Sequence, residues 1–332
     1  MPESQKKIVV FATSFLDMPL RDSPDAGRAG QVLEEAARRH GLVVEYRCDR
    51  VPSKPLEPEE LKGVVVVIAD LEKYEPALLK QVGSGCGGTV QLIARYGIGY
   101  NNVDVHSAHE CGVVVTNTPR ASAPPTAEWA VATMMAVSGR SILQHRRASA
   151  GKTKSGPSRL DISSRTLGII GTGTIGKRVI DLLSGFKMRV LAYDPYPDRT
   201  WAAEAGVEYS ELSTICSASD FISLHASGQD LIIGNDQLNL MKRTTVLVNC
   251  ARGPMVDNRA AWNAVKEDRL YGYALDEVWE HPDLPLEGLN IMVSPHVGSD
   301  TDYGKLAMQI MSAEAVAEFL NGQTPVNLVR AT

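Results

Sequence analysis

Thr166-Leu-Gly-Ile-Ile-Gly-Thr-Gly-Thr-Ile-Gly-Lys177 opens a segment that runs through an apolar helical pattern and closes on Met188-Arg-Val-Leu-Ala-Tyr-Asp194. Leu167–Ile170 predict a short buried strand, and Gly171, Gly173 and Gly176 follow at once. Ile180, Leu182, Leu183 and Phe186 mark one face of a helix. Val190–Tyr193 form a second strand that ends at Asp194, 18 residues after Gly176. Each part has a physical task. Gly171 allows the tight turn, Gly173 lets the backbone approach a pyrophosphate, and Gly176 lets helix and strand pack closely. The helix N-terminus, opened by Thr174 and Ile175, carries partial positive charge for phosphates. Asp194 can accept hydrogen bonds from a ribose diol. With no Arg at 195 or 196 it favours NAD over NADP, because a 2′-phosphate would meet a carboxylate. Glycines alone are weak evidence, and a purely structural turn is the alternative; flanking strands and an acid at this distance favour a dinucleotide site.

At 332 residues the chain is long enough for two domains. A net charge of −5 without a basic block argues against nucleic acid or an anionic membrane as partner. The longest strongly apolar run, Val64–Ala69, is too short to span a bilayer. The start, Met-Pro-Glu-Ser-Gln-Lys-Lys, lacks the apolar stretch of a secretory signal. Cys48, Cys86, Cys111, Cys216 and Cys250 are scattered and without metal-ligand spacing, so reduced thiols, a cytoplasmic location and no metal are expected.

Two α/β patterns appear. The first has strands at Lys7–Ala12, Leu42–Tyr46, Gly63–Ala69 and Val90–Arg95, with helices about Ala26–His40, near Pro58 and near Pro76–Gln81. Alternation of this kind implies a parallel sheet covered on both faces. The second pattern surrounds the glycine turn and continues through strands Phe221–His225, Val246–Cys250, Gly272–Asp276 and Ile291–Ser294. Gly151–Ser158 is a polar loop before it. Ser122, Pro124 and Pro125 predict a helix start ahead of Ala127, Ala130, Val131, Met134 and Met135. A final helix, about Thr301–Leu320, stops at Asn321–Gly322. Because the glycine turn sits mid-chain, the expected fold is two doubly wound parallel-sheet α/β domains, Rossmann-like or flavodoxin-like. The nucleotide domain (105–299) is inserted into a substrate domain (1–104 and 300–332), and a ligand cleft is expected between them.

Three further segments bear chemistry. Asn249-Cys250-Ala251-Arg252-Gly253 closes an apolar strand, so Arg252 points toward a crevice and its planar fork suits a carboxylate; a surface ion-pair Arg is the alternative. Ser294-Pro295-His296-Val297-Gly298 closes another, and His296 can give and take a proton near neutral pH; a structural His is the alternative. Gly97-Ile98-Gly99 exposes amides that could hold an anion, or is simply a flexible turn. Glu72 and Lys73 read as solvated charges at a helix start, a substrate-facing edge after Val64–Ala69 being the alternative, and Met134 and Met135 as core or subunit interface.

Leu167–Gly176, Asn249–Gly253, Ala274-Leu275-Asp276, Ser294–Gly298, Arg95–Asp104 and Thr116–Pro119 together resemble the NAD-dependent D-isomer-specific 2-hydroxyacid dehydrogenases, in order and over nearly the whole chain. The resemblance implies hydride transfer between NAD and C2 of a small 2-keto or 2-hydroxy acid. Arg252 would bind the carboxylate and His296 would act as acid and base. The amides of Gly97, Ile98 and Gly99 would hold the substrate carboxylate. Asp276, Thr126, Cys250 and Gly298 would join the glycine turn in holding the cofactor, and a homodimer is implied. The family places a Glu before a Pro, five residues after its Leu-Asp motif, to pair with the catalytic His. Here His281 stands there, in Leu275-Asp276-Glu277-Val278-Trp279-Glu280-His281-Pro282. Either His281 is a true replacement or Glu280 reaches His296. With His281, the reduction rate is expected to fall off at lower pH than in Glu-bearing relatives. After His225 the family's longer loop is replaced by Ala226-Ser227-Gly228-Gln229, and a Trp usual near Gly151–Thr153 is missing. Glyoxylate or hydroxypyruvate class substrates are favoured. The alternatives are a 3-phosphoglycerate dehydrogenase or an NAD(H)-sensing, corepressor-like binding protein.

Overall fold

A computed structural model describes residues 5–17, 22–51, 54–152 and 158–330; most of the polar loop at 151–158 lies outside them. The chain divides into two compact units, Met1–Ser122 with Asp300–Thr332, and Ala123–Ser299.

The first unit runs β1 (Lys7–Val10), α1 (Arg28–Arg39), β2 (Val43–Tyr46), β3 (Val64–Ala69), α2 (Pro76–Val82), β4 (Leu92–Arg95), α3 (Val105–Glu110) and β5 (Val114–Thr116), and ends with a C-terminal helix, α11 (Asp302–Leu320). Its sheet is parallel, in the order β2-β1-β3-β4-β5, the flavodoxin-like winding. β3 reads Val-Val-Val-Val-Ile-Ala because it lies between two strands and is buried on both faces. Alternate residues divide between two cores. Val66 and Ile68 pack with Leu33 and Val316 under α1 and α11, and Val67 and Ala69 pack with Leu79 and Ala108 under α2 and α3.

The second unit runs α4 (Pro119–Ser138), which begins in the first unit, α5 (Ser141–Ser149), β6 (Thr166–Ile170), α6 (Thr174–Leu183), β7 (Arg189–Tyr193), α7 (Arg199–Ala205), β8 (Val207–Tyr209), α8 (Leu212–Ala218), β9 (Phe221–Leu224), α9 (Asn235–Leu240), β10 (Val246–Asn249), α10 (Asn258–Lys266), β11 (Gly272–Leu275) and β12 (Ile291–Val293). Its seven strands are parallel in the order β12-β11-β10-β9-β6-β7-β8. The winding reverses between β6 and β9, and in such sheets ligands bind beyond the carboxyl ends of the strands at that point.

Two expectations need correction. Val105–Ser122 belong to the first unit, because β5 hydrogen-bonds β4 as the edge of its sheet and Ala108 and Val115 enter its core. The helix expected to start at Ser122–Pro125 starts instead at Pro119, with Pro124 and Pro125 inside it. A proline tolerates the first turn of a helix, and Pro119 fills that place. The two internal prolines lack N–H groups, and the units divide just ahead of them, at Ser122/Ala123.

Candidate active site

At the β6–α6 turn the three glycines differ in what they face. Gly171 has φ +93°, and a Cβ there would lie 2.6 Å from the Ala226 amide nitrogen. At Gly176 a Cβ would collide with the Gly171 carbonyl oxygen. Nothing lies within 4 Å of a Cβ at Gly173, the residue that caps α6. Two glycines are thus demanded by the fold itself, while the third keeps open a space that a bound group can enter. Thr174 and Ile175 form the first turn of α6, where unpaired amides and the helix dipole favour a phosphate.

Asp194, at the end of β7, accepts from Thr172 N (2.7 Å) and Thr172 Oγ1 (3.0 Å) through Oδ2, and from Tyr196 N (2.9 Å) through Oδ1. Burial pushes its carboxyl up, but these hydrogen bonds and the Lys177 charge outweigh that and hold it below the usual range. A cavity of about 590 Å³ at the switch point is lined by Gly171, Gly173, Asp194, Tyr196, His225 and Leu231, among others. His225 carries no signal in the sequence beyond ending an apolar strand. It contacts Ser223 Oγ through Nε2 at 2.8 Å, and its Nδ1 is buried without a partner. Burial drives its pKa down to about 3, so the imidazole is neutral. An open glycine face, a helix N-terminus, an acid and an unpaired ring nitrogen around one cavity fit the adenosine half of NAD.

A second cluster lies at the ends of β10, β11 and β12. Asn249 braces the turn that carries Arg252: its Oδ1 accepts from Ala251 N (3.0 Å) and its Nδ2 donates to Arg252 O (2.8 Å). Arg252 donates one guanidinium hydrogen bond to Ala251 O at 2.7 Å. Cys250 packs in the core, where burial lifts its thiol pKa to about 12. Asp276 accepts from Ser294 Oγ (2.6 Å), Val297 N (2.9 Å) and Gly298 N (2.7 Å). Gly298 must lack a side chain, because a Cβ would lie 2.7 Å from Asp276 Oδ2 and 3.5 Å from Thr126 Cγ2. His296 stands at the crest of this loop with φ +57°, a left-handed backbone rare for a residue other than glycine.

His296 Nδ1 lies 3.3 Å from Glu277 Oε2. A carboxylate can only accept, so Nδ1 donates and Nε2 remains for other chemistry. The Glu277 hydrogen bond raises the His296 pKa against the opposing effect of burial, and the same hydrogen bond holds Glu277 below the usual carboxylate range. The Arg252 charge acts on both, opposing protonation of His296 and favouring ionised Glu277. The expected partners, His281 and Glu280, are therefore both corrected to Glu277. The chain leaves β11 at Leu275, and Asp276 and Glu277 both reach the His296 loop. Beyond them it turns away: the His281 ring packs edge-on against Trp279, centroids 5.2 Å apart, and Trp279 Nε1 donates to Leu284 O at 3.1 Å. With a carboxylate on His296, the expectation of an earlier fall in reduction rate with pH lapses too. Glu277 is visible in the sequence, but it stands outside the family's usual position.

In the first unit the Gly97–Gly99 loop is fastened from beneath. Thr118 N donates to Gly97 O (3.0 Å) and Asn117 Nδ2 to Ile98 O (2.9 Å). Arg95 is buried, donating from Nη1 to Tyr96 O and from Nε to Asn102 Oδ1 (3.3 Å). Gly97 has φ +139°, and a Cβ there would press on the Arg95 guanidinium. Among the described residues, no hydrogen bond takes up the amides of Gly97, Ile98 or Gly99. Glu72, read as solvated, is fully buried and accepts from Asp70 N at 2.9 Å, and burial raises its pKa; Lys73 is exposed. No group of His, Cys, Asp and Glu among the described residues could hold a metal, and none of their helices is long and apolar enough to cross a membrane.

Residues 131–298 match the family model for the D-isomer specific 2-hydroxyacid dehydrogenase, NAD binding domain. The chain is 39% identical over 303 residues to a glyoxylate reductase of Korarchaeum cryptofilum, covering 86% of this chain and 88% of that one. It is 35% identical over 278 residues to a D-3-phosphoglycerate dehydrogenase of Methanocaldococcus jannaschii, covering 78% of this chain and 53% of that one. In structure it resembles the TT0316 protein of Thermus thermophilus, with a TM-score of 0.79, 26% identity, and coverage of 98% of this chain and 100% of that one. The nucleotide turn with its acid, the fold of both units and these similarities agree: the chain is an NAD-dependent oxidoreductase and belongs to the D-isomer-specific 2-hydroxyacid dehydrogenase family.

Proposed function

We propose that the protein reduces a small 2-keto acid to the D-2-hydroxy acid and catalyses the reverse oxidation, with His296 as acid and base. The observation that carries this reading is the His296–Glu277 pair, within electrostatic reach of Arg252. The chemistry that the nicotinamide cofactor would supply when bound is hydride exchange with C2. Gly171, Gly173, Thr174, Ile175 and Gly176 would hold the pyrophosphate and Asp194 the adenosine ribose, while Thr126, Cys250, Asp276 and Gly298 would border the nicotinamide end. With its thiol lifted to about 12, Cys250 contributes shape and not a nucleophile.

In reduction, His296 holds a proton at Nε2 and gives it to the oxygen on C2 as negative charge develops there; in oxidation Nε2 takes it back. Glu277, kept ionised, fixes the ring through Nδ1 and favours the imidazolium. Arg252 offers a planar fork to the substrate carboxylate and a positive charge toward the keto oxygen. In the first unit, the unused amides of Gly97, Ile98 and Gly99 are the second candidate for carboxylate binding.

The glyoxylate reductase similarity favours glyoxylate and hydroxypyruvate as substrates, and the phosphoglycerate dehydrogenase similarity puts 3-phosphohydroxypyruvate next. A panel of these acids with NADH, followed by NADH absorbance, tests the reading. Turnover is expected, with a loss of about a thousand-fold in His296→Gln. Tight NADH binding with no turnover of any acid would instead favour an NAD(H)-sensing binding protein. A homodimer is also proposed, with Met135 and Ile142 exposed on α4 and α5, and light scattering tests it.

A further inference from the structure

Building on the role proposed for His296, we infer that Trp129 and Ser294 are positioning residues that hold the His296 loop through Asp276. β12 stops at Val293, one more backbone bond to β11 follows (Ser294 N to Leu275 O, 3.0 Å), and beyond it His296 adopts a left-handed backbone. Such a conformation persists only where its surroundings over-determine it. Besides the Glu277 contact at Nδ1 and a His296 N to Ser294 O hydrogen bond (2.9 Å), the loop is gathered on one buried carboxylate. Asp276 accepts from Ser294 Oγ on one side of His296, and from Val297 N and Gly298 N on the other. Ser294 Oγ in turn lies 3.2 Å from Trp129 Nε1 on α4.

The direction of this chain is forced. An indole N–H can only donate, and a carboxylate that receives two backbone amides acts as an acceptor. Trp129 therefore donates to Ser294, whose single proton goes to Asp276. Without the indole N–H, the hydroxyl is free to turn its lone pair elsewhere. Without the hydroxyl, Asp276 keeps two donors, both C-terminal to His296, and the N-terminal side of the loop is left to the Ser294 N to Leu275 O backbone bond. Trp129 also packs against the same loop, its Cδ1 3.5 Å from where a Gly298 Cβ would stand. α4 thereby reaches the acid–base residue without touching it.

The test has two readouts in the full-length protein. One is hydrogen exchange of the Val297 and Gly298 amides. The other is kcat against KM for the keto acid. Ser294→Ala should speed exchange about ten-fold and lower kcat by a similar factor, with KM for the keto acid little changed. Ser294→Thr, which keeps the hydroxyl, should restore both. Trp129→Phe should lower kcat less, and the double variant Trp129→Phe/Ser294→Ala should be no worse than Ser294→Ala alone, since the indole acts through the hydroxyl. Additive losses, or unchanged exchange in Ser294→Ala, would overturn the inference. So would faster exchange with unchanged kcat. A wild-type protein that turns over no keto acid overturns the reductase reading instead; the clamp is then judged by exchange and by the His296 titration in NMR, which Ser294→Ala should shift and Ser294→Thr should not.

Discussion

Glu277 decides how the acid–base pair is read. It sits one residue after Asp276, and the sequence offers no reason to prefer it to His281, which stands where the family's Glu belongs. Only the turn of the chain toward Trp279 and Leu284 separates them. Replacing His281 by Ala should therefore leave kcat within about three-fold of wild type, since the loss is one ring contact away from the acid–base pair; a loss comparable with that of His296→Gln would restore His281 as the partner. Arg252, His296 and the glycines are legible because each ends or begins a strongly patterned element. Glu277, Glu72 and His225 are not, because their burial and partners depend on how distant segments meet. His225 yields a prediction of its own. Its pKa is depressed to about 3, so it adds stability above the ordinary imidazole pKa of about 6.5, and that stability is lost as pH falls toward 3. His225→Gln should flatten the acid side of the stability curve by up to about 1.4 kcal/mol per pH unit in that window. Chemical denaturation at several pH values measures it, and parallel curves for the two proteins would contradict it.

Among the elements, the β6–α6 turn shows why one glycine motif serves two purposes. Ala is ordinarily the better residue inside a helix by about 0.5–1 kcal/mol. At Gly176 the sign should reverse, because a Cβ has the Gly171 carbonyl in its way: Gly176→Ala should cost about 1–3 kcal/mol by overpacking. Gly173→Ala meets open space, so it should leave the melting temperature nearly unchanged and weaken NADH binding. Thermal melts and NADH titration separate the two; a stable Gly176→Ala that binds NADH normally would contradict this account of the turn. Strand positions are readable throughout from apolar runs such as Val64–Ala69. The start of α4 is misleading because a Pro-Pro pair suggests a first turn, whereas Pro119 opens the helix and the pair lies within it, where the units divide.

For the molecule as a whole, the mid-chain glycine turn makes the interruption of one α/β unit by another legible from the sequence. The boundary is less so, because α3 and β5 are short and look the same from either side. Each unit has its own pair of cores, one on each face of its sheet. A fragment of residues 119–299 should therefore unfold cooperatively and bind NADH, and under the carboxylate-binding role proposed for the Gly97–Gly99 loop it should show no turnover. An unfolded fragment would contradict the first half of this expectation, and an active one the second. The central claim is that a carboxylate at 277 sets the protonation of His296, and its most direct measurement is the pH dependence of NADH-linked keto acid reduction in wild type and Glu277→Gln. With Glu277 present, His296 stays protonated above the usual imidazole range, so reduction should persist past about pH 6.5 before falling. In Glu277→Gln the basic limb should move to lower pH, since burial and Arg252 then act unopposed by that charge, and kcat should drop about a hundred-fold. Superimposable pH profiles for the two proteins would contradict it.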